Sequence, residues 1–431
     1  VFFPKTSKKS EKWEVYNNVI RNYLYFCPMK HDKIRHWLLF LLACCLSSTP
    51  CKGITPTDSV DISLLTCSPH EEVYALYGHS ALRLLDHTTG EDFAINYGVF
   101  SFEQPHFVAR FVFGLTDYQM GVCPFKLFCD EYAYEGRSVT EQVLQLTPAE
   151  KERIVAAIIE NSRPENVVYR YNFFYDNCTT RARDMVVNHL DGEVRYAGSE
   201  DSTATFRSMT HDFNAEQAWA RFGNDILLGL QADRPTTRSE RQFLPSNLES
   251  DFSRATVSRP DGTVTPLVRQ TTMVLEATPS APSADFPLRP RTCFWLLFAV
   301  TVIITALETL LHRSMWFYDA LLLVVIGLAG LVLSLMLFSQ HPTVRLNLQM
   351  LMLNPLPLLL AFPVIRKKIR GGRHWWWTAW GVLCILFLFG AFFQDYAEGM
   401  LILALSLLTR CVANSRFPAS ANPPKTTKAA K

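Results

Sequence analysis

The sequence predicts an α+β domain followed by an α-helical membrane domain of about five spans, and three observations carry that prediction. Hydrophobic residues make up 48% of the 431 positions and crowd toward the C-terminus. Five apolar runs stand there, over residues 293–311, 319–338, 346–365, 375–393 and 397–412, each about 16 to 20 residues long, which suits membrane spans. Upstream, residues 54–278 mix short β-rich segments with stretches of helical period, the pattern of one mixed domain. The formal net charge of +2 by itself neither supports nor opposes a nucleic-acid partner; none is expected, because the basic residues cluster where they orient a membrane protein.

Taken in order, residues 1–28 read as an upstream extension, neither signal nor domain, and Met29 is the better start. From there MKHDKIRH gives a basic n-region, residues 37–46 a short apolar core and residues 47–53 a small-residue exit, so residues 29–53 have the form of a secretory signal peptide. About ten apolar residues are too few to span a bilayer. Leu41, Leu42, Ala43 and Cys44 also make a passable lipobox, which leaves lipid attachment at Cys44 open; either way, the chain from residue 54 onward is exported.

The exported part, residues 54–278, opens with β-rich segments at 62–67, 81–86 and 92–99. Between the second and third, His87, Thr88, Thr89, Gly90 and Glu91 supply turn chemistry, which predicts a hairpin. LTPAEKERIVAAIIEN then changes the period. Thr147 can cap, Pro148 fits the first helical position, Glu150 stands three residues after the cap, and Ile154, Ala157 and Ile158 form an apolar face. The aromatic run at 171–175 has strand character, and a helix starts at Cys178 with Asp176 or Asn177 as its cap. A further helix is expected over about residues 203–219, with Phe206, Met209, Phe213 and Trp219 in the core.

Proline, serine and alanine dominate residues 279–291, which mark a linker, and the membrane domain occupies 292–412. Its third run contains Pro355, Pro357 and Pro363. Arg366, Lys367, Lys368, Arg370 and Arg373 crowd the loop after that run, which places the loop in the cytoplasm. Three spans back, the linker and soluble domain fall outside; two spans on, the tail at 413–431 with Lys425, Lys428 and Lys431 falls inside. Four or six spans would strand that tail on the wrong side.

The chemistry centres on Cys178 in YNFFYDNCTTRARD. A thiol in the first turn of a helix sees unpaired backbone N–H groups and the positive end of the dipole, which favour the thiolate. Its neighbours Asp176, Asn177, Thr179, Thr180, Arg181, Arg183 and Asp184 are polar, unlike those of an ordinary core cysteine. His79 in YGHSALR is the base such a nucleophile needs, and Gly78 allows close backbone approach there. An isolated histidine is more often structural; the pairing with Cys178 is what raises this one. About 17 residues on, across the predicted turn, Asn96 in AINYGVF comes near His79 and can orient the imidazole, with Ser80, Tyr77 and Tyr97 as competitors. Cys123 and Cys129 are close enough for a small disulfide loop, or stay two free thiols. No CxxC or HExxH is present, and no metal or other cofactor is expected.

A histidine on one strand, a polar partner on the next and a cysteine at a helix start resemble, in that order, the circularly permuted papain-like enzymes, among them lecithin:retinol acyltransferase-like proteins and some NlpC/P60 relatives. YGHSALRL, INYGVFSF, FVFGLTDYQM, EGRSVTEQVLQLT and YNFFYDNCTTRARD together are similar to the exported domain of the lipoprotein N-acyltransferase (Lnb) family of Bacteroides-type bacteria, over most of residues 60–215 and on into the multi-span half. That resemblance implies an inner-membrane enzyme with a periplasmic catalytic domain and a two-step acyl transfer. Cys178 would attack an ester carbonyl of a membrane phospholipid with His79 as base, leaving a thioacyl-enzyme and a lysophospholipid. The α-amino group of a diacylglyceryl-cysteine lipoprotein would then take the chain. The bilayer, a phospholipid donor and a lipoprotein acceptor are thus the implied partners. A peptidoglycan-peptide hydrolase would instead want an open polar groove, and a non-enzymatic assembly factor would tolerate Cys178→Ser and His79→Ala.

The outer loop SQHPTVRLNLQMLMLNPL carries His341, Arg345, Asn347 and Asn354, costly residues to place in lipid, for which a headgroup-binding or domain-docking role is expected. Gln394, Asp395 and Glu398 in the other outer loop would meet the same surface, and Trp375, Trp376 and Trp377 would anchor the cytoplasmic interface.

Overall fold

The computed structural model describes residues 59–70, 72, 75–100, 105–106, 109–110, 113–198, 203–278 and 286–416. The expected signal peptide, Cys44 and the tail beyond residue 416 lie outside them.

Seven strands form an antiparallel sheet: β1 (Val60–Cys67), β2 (His79–Asp86), β3 (Asp92–Val99), β4 (Asp117–Pro124), β5 (Val139–Leu144), β6 (Val168–Arg170) and β10 (Val268–Leu275), in the order β10-β5-β1-β2-β3-β4-β6. The hairpin expected over 81–99 is β2 and β3, its turn closed by Asp86, whose side chain accepts from the Thr88 N–H at 2.7 Å. Alternation along the strands makes two apolar faces. Ile62, Leu64, Leu82 and Ile95 pack beneath α2 (Pro148–Asn161), α3 (Cys178–Val187) and α7 (Pro245–Arg254), while Leu65, Ala81 and Ala94 pack beneath α1 (Phe125–Tyr134). The α2 start has the full capping box of Thr147 and Glu150 with Pro148 in its first turn, and Ile154 and Ile158 are buried. A small sheet, β7 (Glu193–Arg195), β8 (Thr256–Ser258) and β9 (Val264–Pro266), flanks the main one.

Two expectations for this half are corrected. Residues 173–175 are a turn closed by the Asn172–Asp176 bridge, because their rings fill a separate aromatic cluster with Phe206 and Phe243 and leave no backbone edge for a strand. The helix expected over 203–219 is two, α4 (Phe206–Phe213) and α5 (Ala218–Leu227), with the one-turn α6 (Arg238–Arg241) further on. The chain breaks at Asn214, where the Gln217 N–H turns back to the Asn214 carbonyl. Phe206 and Met209 are core residues as expected; Trp219 is only half-buried, its indole N–H donating to the Leu288 carbonyl at 2.8 Å. Cys123 and Cys129 are free thiols.

The C-terminal half holds α8 (Pro290–Leu311), α9 (Trp316–Met336), α10 (Leu356–Ile369), α11 (Trp376–Gly390) and α12 (Met400–Arg416). Three segments, Pro290–Leu311, Trp316–Met336 and Leu348–Ile369, are long and apolar enough to cross a membrane; Trp376–Gly390 is apolar but shorter. The third run does not start as a helix at 346. Its first part is irregular, with short 3-10 turns at Pro342–Val344 and Leu348–Leu351, and Pro355 and Pro357 delay the regular helix to Leu356. Of the three tryptophans assigned to the interface only Trp375 is exposed; Trp376 and Trp377 are buried in the core between helices, the first stacked on Trp380 and the second tilted against it.

One buried ionic set ties four of these helices. Arg410 grips Asp319 with two bonds of 2.8 and 3.0 Å and reaches Glu308 at 2.7 Å, Lys368 bonds Asp319 and reaches Glu308 at 3.0 Å, and Asn414 donates to Asp319 at 3.1 Å. Two acids and two bases leave the set neutral, as a buried site demands.

The two halves meet along the end of α5. The Gly229 and Leu230 N–H groups donate to Thr343 and Leu346 carbonyls at 2.8 and 2.7 Å, and Asn347, Gln349 and Gln394 side chains donate to the carbonyls of Ile226, Asp225 and Leu228 at 2.9, 2.9 and 3.0 Å. This seam satisfies the irregular backbone of the outer loop, which lipid could not do.

Candidate active site

His79 opens β2, directly across the ladder from Cys67. Gly78 before it has φ +80°, and a Cβ there would stand 2.7 Å from the Cys67 carbonyl oxygen, so only glycine lets the chain enter the strand at this point. In the β2–β3 register Asn96 faces Ala81, which puts its side chain on the same face as His79. His79 Nε2 lies 2.8 Å from Asn96 Oδ1. The same oxygen accepts the Gly98 N–H at 2.7 Å, which fixes it as an acceptor. Nε2–H therefore donates, and Nδ1 is left for the thiol.

Cys178 comes from the other direction, at the start of α3, which packs against β2 and β3. Asn177, rather than Asp176, caps the helix: its side-chain oxygen accepts from the Thr179 and Thr180 N–H groups at 3.0 and 2.9 Å, and its amide donates to the Phe173 and Phe243 carbonyls at 3.0 and 2.9 Å. Asp176 is engaged by Arg181, at 2.6 and 2.8 Å. The cap locks the first turn and so the direction of the thiol.

The thiol has the Thr179 hydroxyl at 3.8 Å, and the His79 imidazole and the Ser80 backbone N–H are the neighbours that act on its charge. Burial pushes the Cys178 thiol up, but the charge and hydrogen bond of His79, aided by the Ser80 N–H, outweigh it and bring it down to about 7. Burial alone would depress the imidazole; the neighbouring thiolate raises it above its ordinary value. Both shifts favour a thiolate–imidazolium pair near neutral pH. By contrast burial drives Cys67 up to about 12, so the two neighbouring thiols have opposite character.

Beside the dyad stands an aromatic wall. Tyr118 and Tyr171 stack at 4.0 Å and Phe100 stacks on Tyr118 at 4.7 Å, with Tyr118, Tyr171 and Cys178 packed on the rim of one core cluster. On the other side Tyr77, two residues before His79, has its hydroxyl bonded by Asn224 of α5 at 2.8 Å. Neither Tyr77, Ser80 nor Tyr97 bonds the imidazole through its side chain among the described residues; the Ser80 and Tyr97 hydroxyls are buried without a partner.

The structure therefore brings Cys178, His79 and Asn96 together. His341, Arg345, Asn347 and Asn354 fall elsewhere, in the outer loop. Asn347 is buried in the seam between the halves; Asn354 makes local bonds, to the Leu351 carbonyl at 3.2 Å and from the Leu356 N–H at 3.2 Å; Arg345 is exposed and donates to the Ser339 carbonyl at 2.9 Å; and the His341 ring lies against Gly114. Sequence reasoning missed Gly98, where a Cβ would stand 2.7 Å from the His79 ring. A glycine inside a strand was its signal. It also missed the Ser80 N–H, which no side-chain pattern announces. Among the described residues no group of three or more His, Cys, Asp and Glu side chains is placed to hold a metal ion.

Two family models match the chain. One, described as the Lnb N-terminal periplasmic domain, covers residues 49–212, and the other, described as the Lnb transmembrane domain, covers residues 281–421. No curated protein and no solved structure gave a significant match.

Proposed function

This chain belongs to the Lnb family of lipoprotein N-acyltransferases, and on that premise we propose that Cys178 carries the acyl chain as a thioester, with His79 as its base and Asn96 holding the imidazole. As a member of that family it is a membrane-bound acyltransferase of the inner membrane with its soluble domain in the periplasm. The observation that carries the catalytic reading is a thiol in the first turn of α3 together with an imidazole whose far nitrogen is tied to Asn96 at 2.8 Å, and the imidazole's charge lowers that thiol. The chain order His79, Asn96, Cys178 supports a permuted papain-like arrangement.

In the first step the thiolate attacks an ester carbonyl of a phospholipid. The tetrahedral oxyanion is met by the Cys178 backbone N–H, which in the first helical turn has no intrahelical acceptor. The C–O bond breaks, and the His79 imidazolium gives its proton to the departing lysophospholipid oxygen. In the second step the α-amino group of a diacylglyceryl-cysteine lipoprotein attacks the thioester and passes a proton to the neutral imidazole. The C–S bond breaks, the thiolate returns and the amide product leaves. A thioester suits this order because it stays reactive toward an amine.

Both substrates are lipid-anchored, so a thiol held at the outer face of the membrane needs only a search in two dimensions. Read as five spans, α8 to α12 would put the basic end of α10 in the cytoplasm and the α5 seam outside, which supports a periplasmic thiol. The test is the intact mass of a lipoprotein from cells whose only copy is wild type or Cys178→Ser, with membrane insertion checked. The variant should leave the lipoprotein one acyl chain short; full triacylation in both strains would remove the thiol from the mechanism.

A further inference from the structure

A second cluster of charge lies where the exported sheet meets the outer loop of the membrane half. Arg110 and Arg170 both bond one carboxylate, Asp117, the latter at 2.7 Å. Arg170 Nη1 also donates to Gln340 Oε1 at 3.1 Å, and the Gln340 N–H donates to the Phe113 carbonyl at 3.0 Å. Nearby in the same loop, Arg345 donates to the Ser339 carbonyl at 2.9 Å and has no carboxylate partner among the described residues. Two guanidinium groups thus share one carboxylate, and Arg345 is tied to the residue before Gln340, the partner of Arg170. Arg110 Nε is buried and has no acceptor among the described residues, while the side chains of Arg110 and Arg170 keep 37% and 43% of their exposure, enough for a ligand to reach them.

Position gives the cluster its meaning. The Ser339–Gln340 turn follows α9, at the end that the positive-inside rule puts on the outer side of the membrane half. Asp117 and Arg170 are each succeeded by an aromatic residue, Tyr118 and Tyr171, and these form the stacked wall beside Cys178. A forked cation pair suits a phosphate, which accepts parallel hydrogen bonds from guanidinium groups.

We propose that Arg110, Arg170 and Arg345 form a binding site for the phosphate of an outer-leaflet phospholipid, which feeds its glycerol ester along the Tyr118–Tyr171 wall toward the thiol. The assignment of that lipid as acyl donor rests on the catalytic reading above; the binding itself does not. Full-length Cys178→Ala protein, which cannot form a thioester, is titrated calorimetrically with dihexanoyl phosphatidylglycerol, with dihexanoylglycerol and with inorganic phosphate. The phospholipid should bind at least about tenfold more tightly than the phosphate-free lipid, and inorganic phosphate more weakly than the phospholipid. Arg170→Gln and Arg345→Gln should each erase most of that difference. Arg345 is exposed and outside any ion pair among the described residues, so its variant carries the test if Arg170→Gln fails to fold. Equal affinity for the two lipids, an unchanged difference in Arg345→Gln, or inorganic phosphate binding as tightly as the phospholipid would each overturn the proposal. A lipoprotein fully acylated in Cys178→Ser cells would sink the catalytic reading while leaving this binding result as it stands.

Discussion

Replacing His79 by alanine removes the charge and the hydrogen bond that hold the Cys178 thiol at about 7. Burial, the largest single influence on that thiol, then faces only the Ser80 N–H and the Thr179 hydroxyl, so the thiol should return at least to its ordinary value of 9.0. Two units correspond to about 2.7 kcal/mol. At pH 7 the thiolate fraction falls from about one half to about 1%. The thiolates that remain are intrinsically stronger, by about eightfold for a Brønsted slope of about 0.45, so the net fall in alkylation rate at pH 7 is about sixfold. The sign is plain: the reactive form appears as pH rises through the thiol pKa, so the whole rate–pH curve moves up by about two units in the variant. Iodoacetamide labelling, read out by intact mass across the pH range, measures both quantities. A variant whose labelling midpoint stays at about 7 would refute the imidazole as the cause of the lowered thiol.

Three further outcomes are expected. Asn96→Ala frees the imidazole and should lower the rate of thiol acylation by about 10- to 100-fold, in line with losing one buried hydrogen bond to a group that charges, with the lipid KM little changed; single-turnover acylation monitored by mass separates the two. Gly98→Ala drives a methyl group to within 2.7 Å of the His79 ring, so acylation should fall at least about tenfold while the thermal unfolding midpoint moves by only a few degrees. Asp319→Asn leaves Lys368 and Arg410 facing a single carboxylate, Glu308, inside the helical core, and should cost about 3 to 5 kcal/mol in a denaturant titration in detergent, with Asp319→Asn/Lys368→Met recovering much of it.

What the sequence made legible was local or strictly periodic. The turn residues between residues 86 and 92 determine the hairpin, and the hairpin determines that Asn96 reaches His79, so a contact across 17 residues could be read from strand geometry. Thr147, Pro148 and Glu150 announced their helix because a capping box is a short-range hydrogen-bond pattern. What stayed hidden depends on distant partners. The rings of Phe173 and Phe174 look strand-like until Phe206 and Phe243 are seen to receive them. Leu346 to Asn354 looks like membrane helix because its composition is apolar, yet its backbone bonds are taken by Gln394 and by the end of α5. Trp376 and Trp377 carry the composition of an interfacial belt and the burial of a core, a distinction set by which face of α11 meets α12. Gly98 was visible as a strand glycine but not as the residue that makes room for the imidazole.

The central claim is that Cys178 itself carries the acyl chain, and trapping that species tests it most directly. Purified full-length protein is incubated with a phospholipid of defined chains and no lipoprotein, and the intact mass is read before and after neutral hydroxylamine. A gain of one acyl chain at Cys178, released by hydroxylamine and absent from Cys178→Ser, is the predicted result. Protein that stays unmodified under these conditions, yet acylates a lipoprotein when one is added, would contradict a thioester on this thiol.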